Sequence, residues 1–245
     1  MPHILMLLSA ATRMSLTNGG TRAVGFWPEE VVAPLAVFDG AGARVTVATP
    51  DGRPAVPDPA GFTPEGTGLT PPQCEALRRD VDARHFDLSS PEPLGEAARQ
   101  VYDAVFIPGG YAPMVDLWRD PQCGRVVAAA HRAGRPVAAV CHGPAALLSC
   151  TGPTGAWPFA GYRMTSFTDD EEKDVGLLDL LPWTSQRALT HRGARFLTGP
   201  GPWQEHVVED RGLLTGQNPA SAGPLAARLL TAIASGHTAI ARPSG

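Results

Sequence analysis

Short apolar runs, separated by helical patterns or long loops, constrain the fold of this chain more than any other feature. They are residues 4–9, 45–49, 104–107 and 136–140. Alternation between apolar and polar residues is weak in them, which is typical of parallel strands covered on both faces. We therefore predict an α/β fold with a doubly wound, mostly parallel sheet and helices on both faces.

Helical patterns occupy residues 29–40, 121–133, 142–148 and 220–234. The second of these has Asp120 as a plausible N-cap and Pro121 at its first position. Residues 1–245 are interpreted as one domain with insertions at about 51–95 and 151–195. Long loops in compact domains are commonly functional, so both insertions are expected to pack around the active-site edge of the sheet.

Charge and hydropathy exclude several kinds of partner. The net charge is −4 and no Lys/Arg run occurs, so neither nucleic acid nor an anionic membrane surface is expected as a partner. No apolar run approaches the ~20 residues of a membrane-spanning helix. The apolar stretch 4–11 has no Lys or Arg before it, so it is interpreted as a buried first strand and not as a signal peptide.

The cysteines are scattered along the chain and form no C-x-x-C pair: Cys74, Cys123, Cys141 and Cys150. This spacing argues against zinc and thioredoxin-like sites, and neither a metal nor another cofactor is predicted. Without a secretory signal, free thiols in a reducing cytoplasm are expected.

Cys141 is the strongest candidate for a catalytic residue. The apolar run 136–140 leads directly into it, and a helical pattern follows at once. Small residues stand two positions before and after it, Ala139 and Gly143, as a tight nucleophile elbow requires. The helix N-terminus is also expected to favour the thiolate. The alternative is a buried structural cysteine.

Two further elements carry polar groups suited to catalysis. The run 104–107 is followed by Gly109 and Gly110, whose amides could form an oxyanion hole beside Cys141. Glu29 and Glu30 begin the first helical pattern, a place that the helix dipole alone would favour for acidic residues.

Several segments together resemble the DJ-1/PfpI superfamily, the class I glutamine amidotransferase-like fold, and especially its Hsp31-like branch. The resemblance covers nearly the whole chain and is carried by residues 25–30 (GFWPEE), 41–50, 57–59, 106–110 (FIPGG), 139–147 (AVCHGPAAL) and 214–221 (LTGQNPAS). It implies a flavodoxin-like sheet and a homodimer.

The resemblance also implies roles for individual residues. Cys141 would be the nucleophile and Glu30 a buried acid beside it, with a raised pKa that lets it share a proton with the thiol. His142 and an acid from the second insertion would complete a Cys-His-acid triad. The spacing within residues 167–176 favours Glu172, whereas an exposed acidic helix start is the alternative for Glu171 and Glu172.

One departure concerns the lining of the substrate pocket. The Hsp31-like branch often carries His-Gly after the glycine pair, whereas this chain has Tyr111 and Ala112. Tyr111 is therefore expected to alter the shape and polarity of the pocket. Trp27, Trp157 and Trp203 could line its mouth, and residues 13–20 form a loop long enough to reach it.

The leading hypothesis is a lyase or hydrolase of the glyoxalase III type, related to deglycases and stress proteins. Cys141 would add to an α-oxoaldehyde such as methylglyoxal, and proton transfers through Glu30 or His142, then hydrolysis, would release a 2-hydroxy acid. The alternatives are a hydratase, amidase or tailoring enzyme for a specialised small molecule, and a non-enzymatic holdase or redox sensor. Glutamine amidotransfer is disfavoured because His142 directly follows the cysteine.

Overall fold

The computed structural model describes residues 1–236, apart from the side chains of residues 85 and 86; residues 237–245 of the predicted domain lie outside the described range. The strands are β1 His3–Leu7, β2 Arg13–Ser15, β3 Thr21–Ala23, β4 Arg44–Thr49, β5 Glu92–Pro93, β6 Ala104–Ile107, β7 Val137–Val140, β8 Arg163–Met164, β9 Arg195–Phe196, β10 Val207–Asp210 and β11 Leu213–Gly216. The α-helices are α1 Pro28–Gly40, α2 Pro64–Thr67, α3 Pro71–Asp82, α4 His85–Ser89, α5 Leu94–Ala97, α6 Pro121–Arg132, α7 Asp169–Asp174, α8 Ser185–His191 and α9 Ala222–Ala234.

The central sheet has seven strands in the order β10-β11-β7-β6-β1-β4-β5. Its neighbouring strands are parallel, except that β10 pairs with β11 in antiparallel fashion. The predicted doubly wound, mostly parallel sheet is confirmed. Because parallel strands end at the same edge, β6 and β7 bring the segments after residues 107 and 140 together.

Helices cover both faces of this sheet, as the weak alternation in the strands predicts. In β1, Ile4 and Met6 pack into one core cluster with α1, α3 and α9. Leu5 and Leu7 point to the opposite face and pack with α5, α6 and α8. All four side chains are fully buried, so the first apolar run is an interior strand.

Two parts of the sequence prediction differ from the structure. Residues 142–148 were expected to be α-helical, but a 3₁₀-helix runs from Gly143 to Ser149. The hairpin β10–β11 was not among the predicted strands, although Gly212 at positive φ provides its turn. Within the described residues, no helix is long and apolar enough to cross a membrane.

Candidate active site

The chain turns sharply at Cys141, directly after β7. Its φ angle of 58° lies in the left-handed region, which non-glycine residues rarely adopt. The Cys141 amide donates to the Gly216 carbonyl at 2.9 Å. The Cys141 carbonyl accepts from the Phe167 amide at 2.9 Å and from Ser166 Oγ at 2.6 Å. These backbone contacts hold the strained residue at the end of the sheet.

Gly143 is required for the chain to leave this turn. A Cβ atom at this position would lie 2.3 Å from the Ile107 carbonyl oxygen, closer than any real contact. The glycine therefore lets the 3₁₀-helix pass directly over the end of β6. This explains in steric terms why a small residue follows Cys141 by two positions.

Glu30 is fully buried and its carboxyl group faces the same turn. The Gly109 amide donates to Glu30 Oε2 at 2.7 Å. A Cβ atom on Gly109 would lie 2.8 Å from both Glu30 Oε2 and Cys141 Cβ, and 2.7 Å from the His142 nitrogen. The acid, the thiol and a backbone amide thus converge around a space that only glycine leaves open.

Burial raises the pKa of Glu30 to about 8, although hydrogen bonds with Cys141 and Gly109 oppose this shift. A carboxyl group with such a pKa can both give and take a proton near neutrality. The amide of Gly109 is already used by this carboxylate. The expected pair of oxyanion donors is therefore reduced to Gly110, whose amide is directed at the Cys141 thiol.

The surroundings of Cys141 oppose the thiolate that the sequence predicts. Burial raises the pKa of the Cys141 thiol well above its usual value, and the nearby Glu30 carboxyl raises it further, whereas the Gly110 amide lowers it. Formation of the thiolate therefore needs a nearby base, because burial favours the neutral thiol.

His142 is placed to be that base. Its Nδ1 lies 3.4 Å from Cys141 Sγ, and its Nε2 lies 2.8 Å from Glu172 Oε1. Because a carboxylate only accepts hydrogen bonds, the imidazole carries its proton on Nε2 and turns the lone pair of Nδ1 toward the thiol. The structure therefore places Cys141, His142 and Glu172 in one hydrogen-bonded series.

Tyr111 adds a fourth group to this series. Its hydroxyl donates to Glu172 Oε2 at 2.6 Å, and its ring packs against the His142 imidazole with centroids 4.3 Å apart. Phe167 also packs on the imidazole, at 4.6 Å. Tyr111 therefore contacts both the acid and the base, which gives a structural role to the residue that departs from the His-Gly pattern.

Tyr111→Phe is expected to lower kcat by about 10-fold with a smaller change in KM. The substitution keeps the ring but removes a hydrogen bond to a buried carboxylate, which holds Glu172 in line with His142. Steady-state kinetics would measure kcat and KM separately. Tyr162→Phe is the matched control, because it removes a tyrosine hydroxyl that contacts His131 Nε2 at 2.9 Å on the opposite face of the sheet. Equal losses in both variants would contradict a positioning role.

Glu171 is buried next to Glu172 but points to a different set of partners. Its Oε1 accepts from the Trp203 amide at 2.9 Å, Gln217 Nε2 at 3.1 Å and Asn218 Nδ2 at 2.8 Å. Its Oε2 accepts from Thr168 in a capping box at the start of α7. The alternative of an exposed acidic helix start is therefore wrong for both glutamates.

A pocket of about 850 Å³ opens over Cys141 and His142. Both insertions contribute to its wall, through residues between 60 and 69 and between 167 and 177. Aromatic side chains line it on several sides: Trp27, Tyr111, Phe167 and Trp203. Trp157 does not reach the pocket, because it packs against Phe159 in the core and donates to the Leu147 carbonyl.

The family model described as the DJ-1/PfpI family matches residues 23–232. The chain belongs to the DJ-1/PfpI family. The predicted family is thereby confirmed, and the matched range includes the acid, the cysteine turn and the segment that contributes Glu172.

Curated relatives agree with the resemblance to the Hsp31-like branch. A protein named protein/nucleic acid deglycase HchA from Staphylococcus aureus is 28% identical over 91% of this chain and 76% of its own length. The HchA protein from Pseudomonas aeruginosa is also 28% identical, over 93% of this chain and 80% of its length.

Solved structures show the same DJ-1/PfpI fold. Glyoxalase III from Candida albicans superimposes with a TM-score of 0.79 and 24% identity, covering 94% of this chain and 97% of its own. Rapid Encystment Protein 24 kDa from Francisella tularensis gives a TM-score of 0.81 and 23% identity, with 95% and 99% covered.

Proposed function

We propose that this protein is a cysteine-dependent enzyme that converts α-oxoaldehydes, or adducts that they form, into 2-hydroxy acids without a metal or glutathione. The observation that carries the proposal is the convergence of Glu30, Cys141 and the His142 amide around Gly109. The names of the relatives, a deglycase and a glyoxalase III, support the same reaction class.

The first step would be addition of the thiol to the aldehyde. His142 Nδ1 takes the thiol proton as Sγ bonds to the carbonyl carbon, and the Gly110 amide stabilises the oxygen as it gains charge. The oxygen is then protonated to give a hemithioacetal. Glu172, held by Tyr111, keeps the imidazole oriented and stabilises its charged form.

The second step would be an internal transfer of hydrogen. Glu30 or His142 removes the proton from the carbon bonded to sulfur, and the resulting enediol is protonated on the neighbouring carbon. The product is a thioester of the 2-hydroxy acid, which water hydrolyses to restore the thiol. The balance for methylglyoxal is one aldehyde and one water giving one lactate. From a thiol adduct, the carrier thiol must first leave to regenerate the aldehyde to which Cys141 adds, so one adduct and one water give one lactate and one free carrier thiol.

The volume of the pocket favours substrates larger than free methylglyoxal. A volume of about 850 Å³ is that of a site for drug-sized ligands. It suits an aldehyde adduct on a larger carrier, and it equally suits the alternative of a tailoring enzyme for a specialised small molecule. A redox sensor is disfavoured, because a thiol with a raised pKa is oxidised slowly.

Purified protein is expected to form lactate from methylglyoxal in the presence of chelator and without glutathione. The reason is that the thiol, the base and the acid are all supplied by the chain. Lactate would be measured over time, with Cys141→Ala as the blank. No lactate above that blank, from methylglyoxal or from its thiol adducts, would reject this reaction and favour the tailoring alternative.

The assembly and the cellular location stay predictions. The resemblance implies a homodimer, which light scattering of the purified protein would test. A cytoplasmic location and a small-molecule carbonyl compound as partner are proposed with it.

A further inference from the structure

Arg22 brings a positive charge to the pocket from outside the sheet. It lies in β3, which pairs with β2 so that Arg22 stands opposite Met14. Neighbouring strand residues face opposite sides, and Met14 is buried while Thr21 and Ala23 are exposed. Arg22 therefore points inward, and it is the one Lys or Arg among the described residues that line the pocket.

The described contacts of Arg22 do not use up its capacity to donate hydrogen bonds. Its guanidinium carbon lies 5.2 Å from the centre of the Tyr111 ring, which also packs on His142. The nearest carboxylate oxygen, Asp58 Oδ1, is 3.9 Å from Nη2, beyond hydrogen-bond distance. Arg22 Nε is buried without a hydrogen-bond partner among the described residues. Arg22 is thus positioned by Asp58 and the Tyr111 ring, but its guanidinium forms no hydrogen bond with a carboxylate among the described residues.

We propose that Arg22 binds a carboxylate group of the substrate while Cys141 bonds to its carbonyl carbon. The guanidinium and the His142 imidazole both contact the ring of Tyr111. The planar fork of arginine suits a carboxylate, which it can bind through two parallel hydrogen bonds. The substrate class is an α-oxoaldehyde or its adduct that carries a carboxylate, so the inference deepens the proposed function and rests on it.

The hairpin that carries Arg22 comes, apart from Ala23, before the range that the family model matches. The family match begins at residue 23, so β2, the turn and Arg22 precede it. The hairpin is anchored by Thr17, whose amide donates to the Leu180 carbonyl at 2.9 Å. This contact fixes the hairpin, and Arg22 with it, against the second insertion.

Acidic residues also line the pocket, but none of the described ones there forms an ion pair with Arg22. Asp174 accepts a hydrogen bond from the Trp203 indole at 3.1 Å. Glu65 is exposed on α2. Burial raises the pKa of Glu29, which opposes its negative charge. Because these carboxylates also act on an anionic ligand, the effect of Arg22 is measured as the ratio of the rates for a charged and an uncharged reagent.

The first experiment compares alkylation of Cys141 by iodoacetate and by iodoacetamide. The two reagents differ chiefly in the carboxylate, and mass spectrometry assigns the reaction to Cys141. Arg22→Gln is expected to lower the rate ratio of iodoacetate to iodoacetamide by about 5-fold, because a nearby cation attracts only the anion. Arg22→Lys keeps the charge and should retain most of the ratio.

Arg13→Gln is the matched control, since Arg13 is an exposed arginine of β2 in the same hairpin. An unchanged ratio in Arg22→Gln, or an equal fall in Arg13→Gln, would overturn the subsite. A ratio that Arg22→Lys preserves cannot be explained by misfolding. If neither reagent alkylates the buried thiol, the comparison of the two adducts decides whether Arg22 binds a carboxylate.

The second experiment measures turnover of the methylglyoxal adducts of N-acetylcysteine and of N-acetylcysteine amide. Arg22→Gln is expected to lower kcat/KM for the carboxylate adduct, relative to the amide adduct, by about 10- to 100-fold, the usual effect of a hydrogen bond to a charged group. Equal effects on both adducts would overturn the substrate class. If wild type turns over neither, the proposed function fails, while the alkylation ratio still decides whether Arg22 attracts a carboxylate.

Discussion

Cys141→Ala is expected to reduce turnover to the uncatalysed background, a loss of at least about 10³-fold, while the protein stays folded. The reason is that Sγ is the atom on which His142 and Glu30 both act. The turn itself depends on backbone contacts with Gly216 and Phe167, which alanine can keep. Turnover and thermal unfolding would be measured on the same preparation.

Cys123→Ala is the matched control, because Cys123 is also a fully buried cysteine but lies in α6, away from the pocket. It is expected to lose stability, by about 1 kcal/mol, and to keep its activity. If Cys141→Ala retains wild-type turnover on the true substrate, the cysteine is not the nucleophile and the proposed function falls with it.

Glu30→Gln is expected to lower kcat by about 10²- to 10³-fold and, at pH 8, to raise the free energy of unfolding. Glutamine can still accept from the Gly109 amide, but it cannot move a proton. Glu29→Gln should lose much less activity, because Glu29 is only partly buried and does not accept from Gly109.

The stability effect of Glu30 has a defined sign. Burial raises its pKa to about 8 in the folded protein, against 4.5 for an unperturbed glutamate, which we take for the unfolded chain. The folded state therefore holds the proton more tightly, so stability falls as pH rises through this window. Glu30→Gln should remove the contribution of this carboxyl group to the dependence of the free energy of unfolding on pH. Unfolding curves between pH 5 and pH 9 that show the same slope for both proteins would contradict a buried, proton-holding Glu30.

Much of the fold could be predicted because it depends on local pattern. The strands of the central sheet are short and apolar on both faces, and this is visible in residues 104–107 and 137–140 alone. The tight turn at Cys141 could be predicted from the small residues around it. Strand β10 was missed because Glu209 and Asp210 interrupt its apolar pattern, whereas β11 is a short buried run that was also missed.

The parts of the site that could not be predicted depend on contacts between distant segments. Tyr111 and Glu172 are 61 residues apart, and nothing in either segment indicates that the hydroxyl reaches the carboxylate. Burial, which is a property of the whole fold, raises the pKa of the Cys141 thiol, and no local pattern in the sequence indicates this effect.

One available signal was not used. Thr168 and Glu171 have the spacing of a capping box, which assigns Glu171 to the start of α7 and leaves Glu172 for His142. Arg22 offered no comparable signal, because its place in the pocket depends on a hairpin that folds back over residues 177–181.

Because of the left-handed backbone at Cys141, selection for stability would favour glycine at this position, whereas selection for activity would keep cysteine. A side chain in that conformation costs roughly 1 kcal/mol or more, and glycine would adopt it without the steric penalty. Along this branch of the family tree, drift toward a more stable fold would therefore tend to erase the nucleophile. A cysteine that persists at such a position across many descendants would mark continued use of its chemistry.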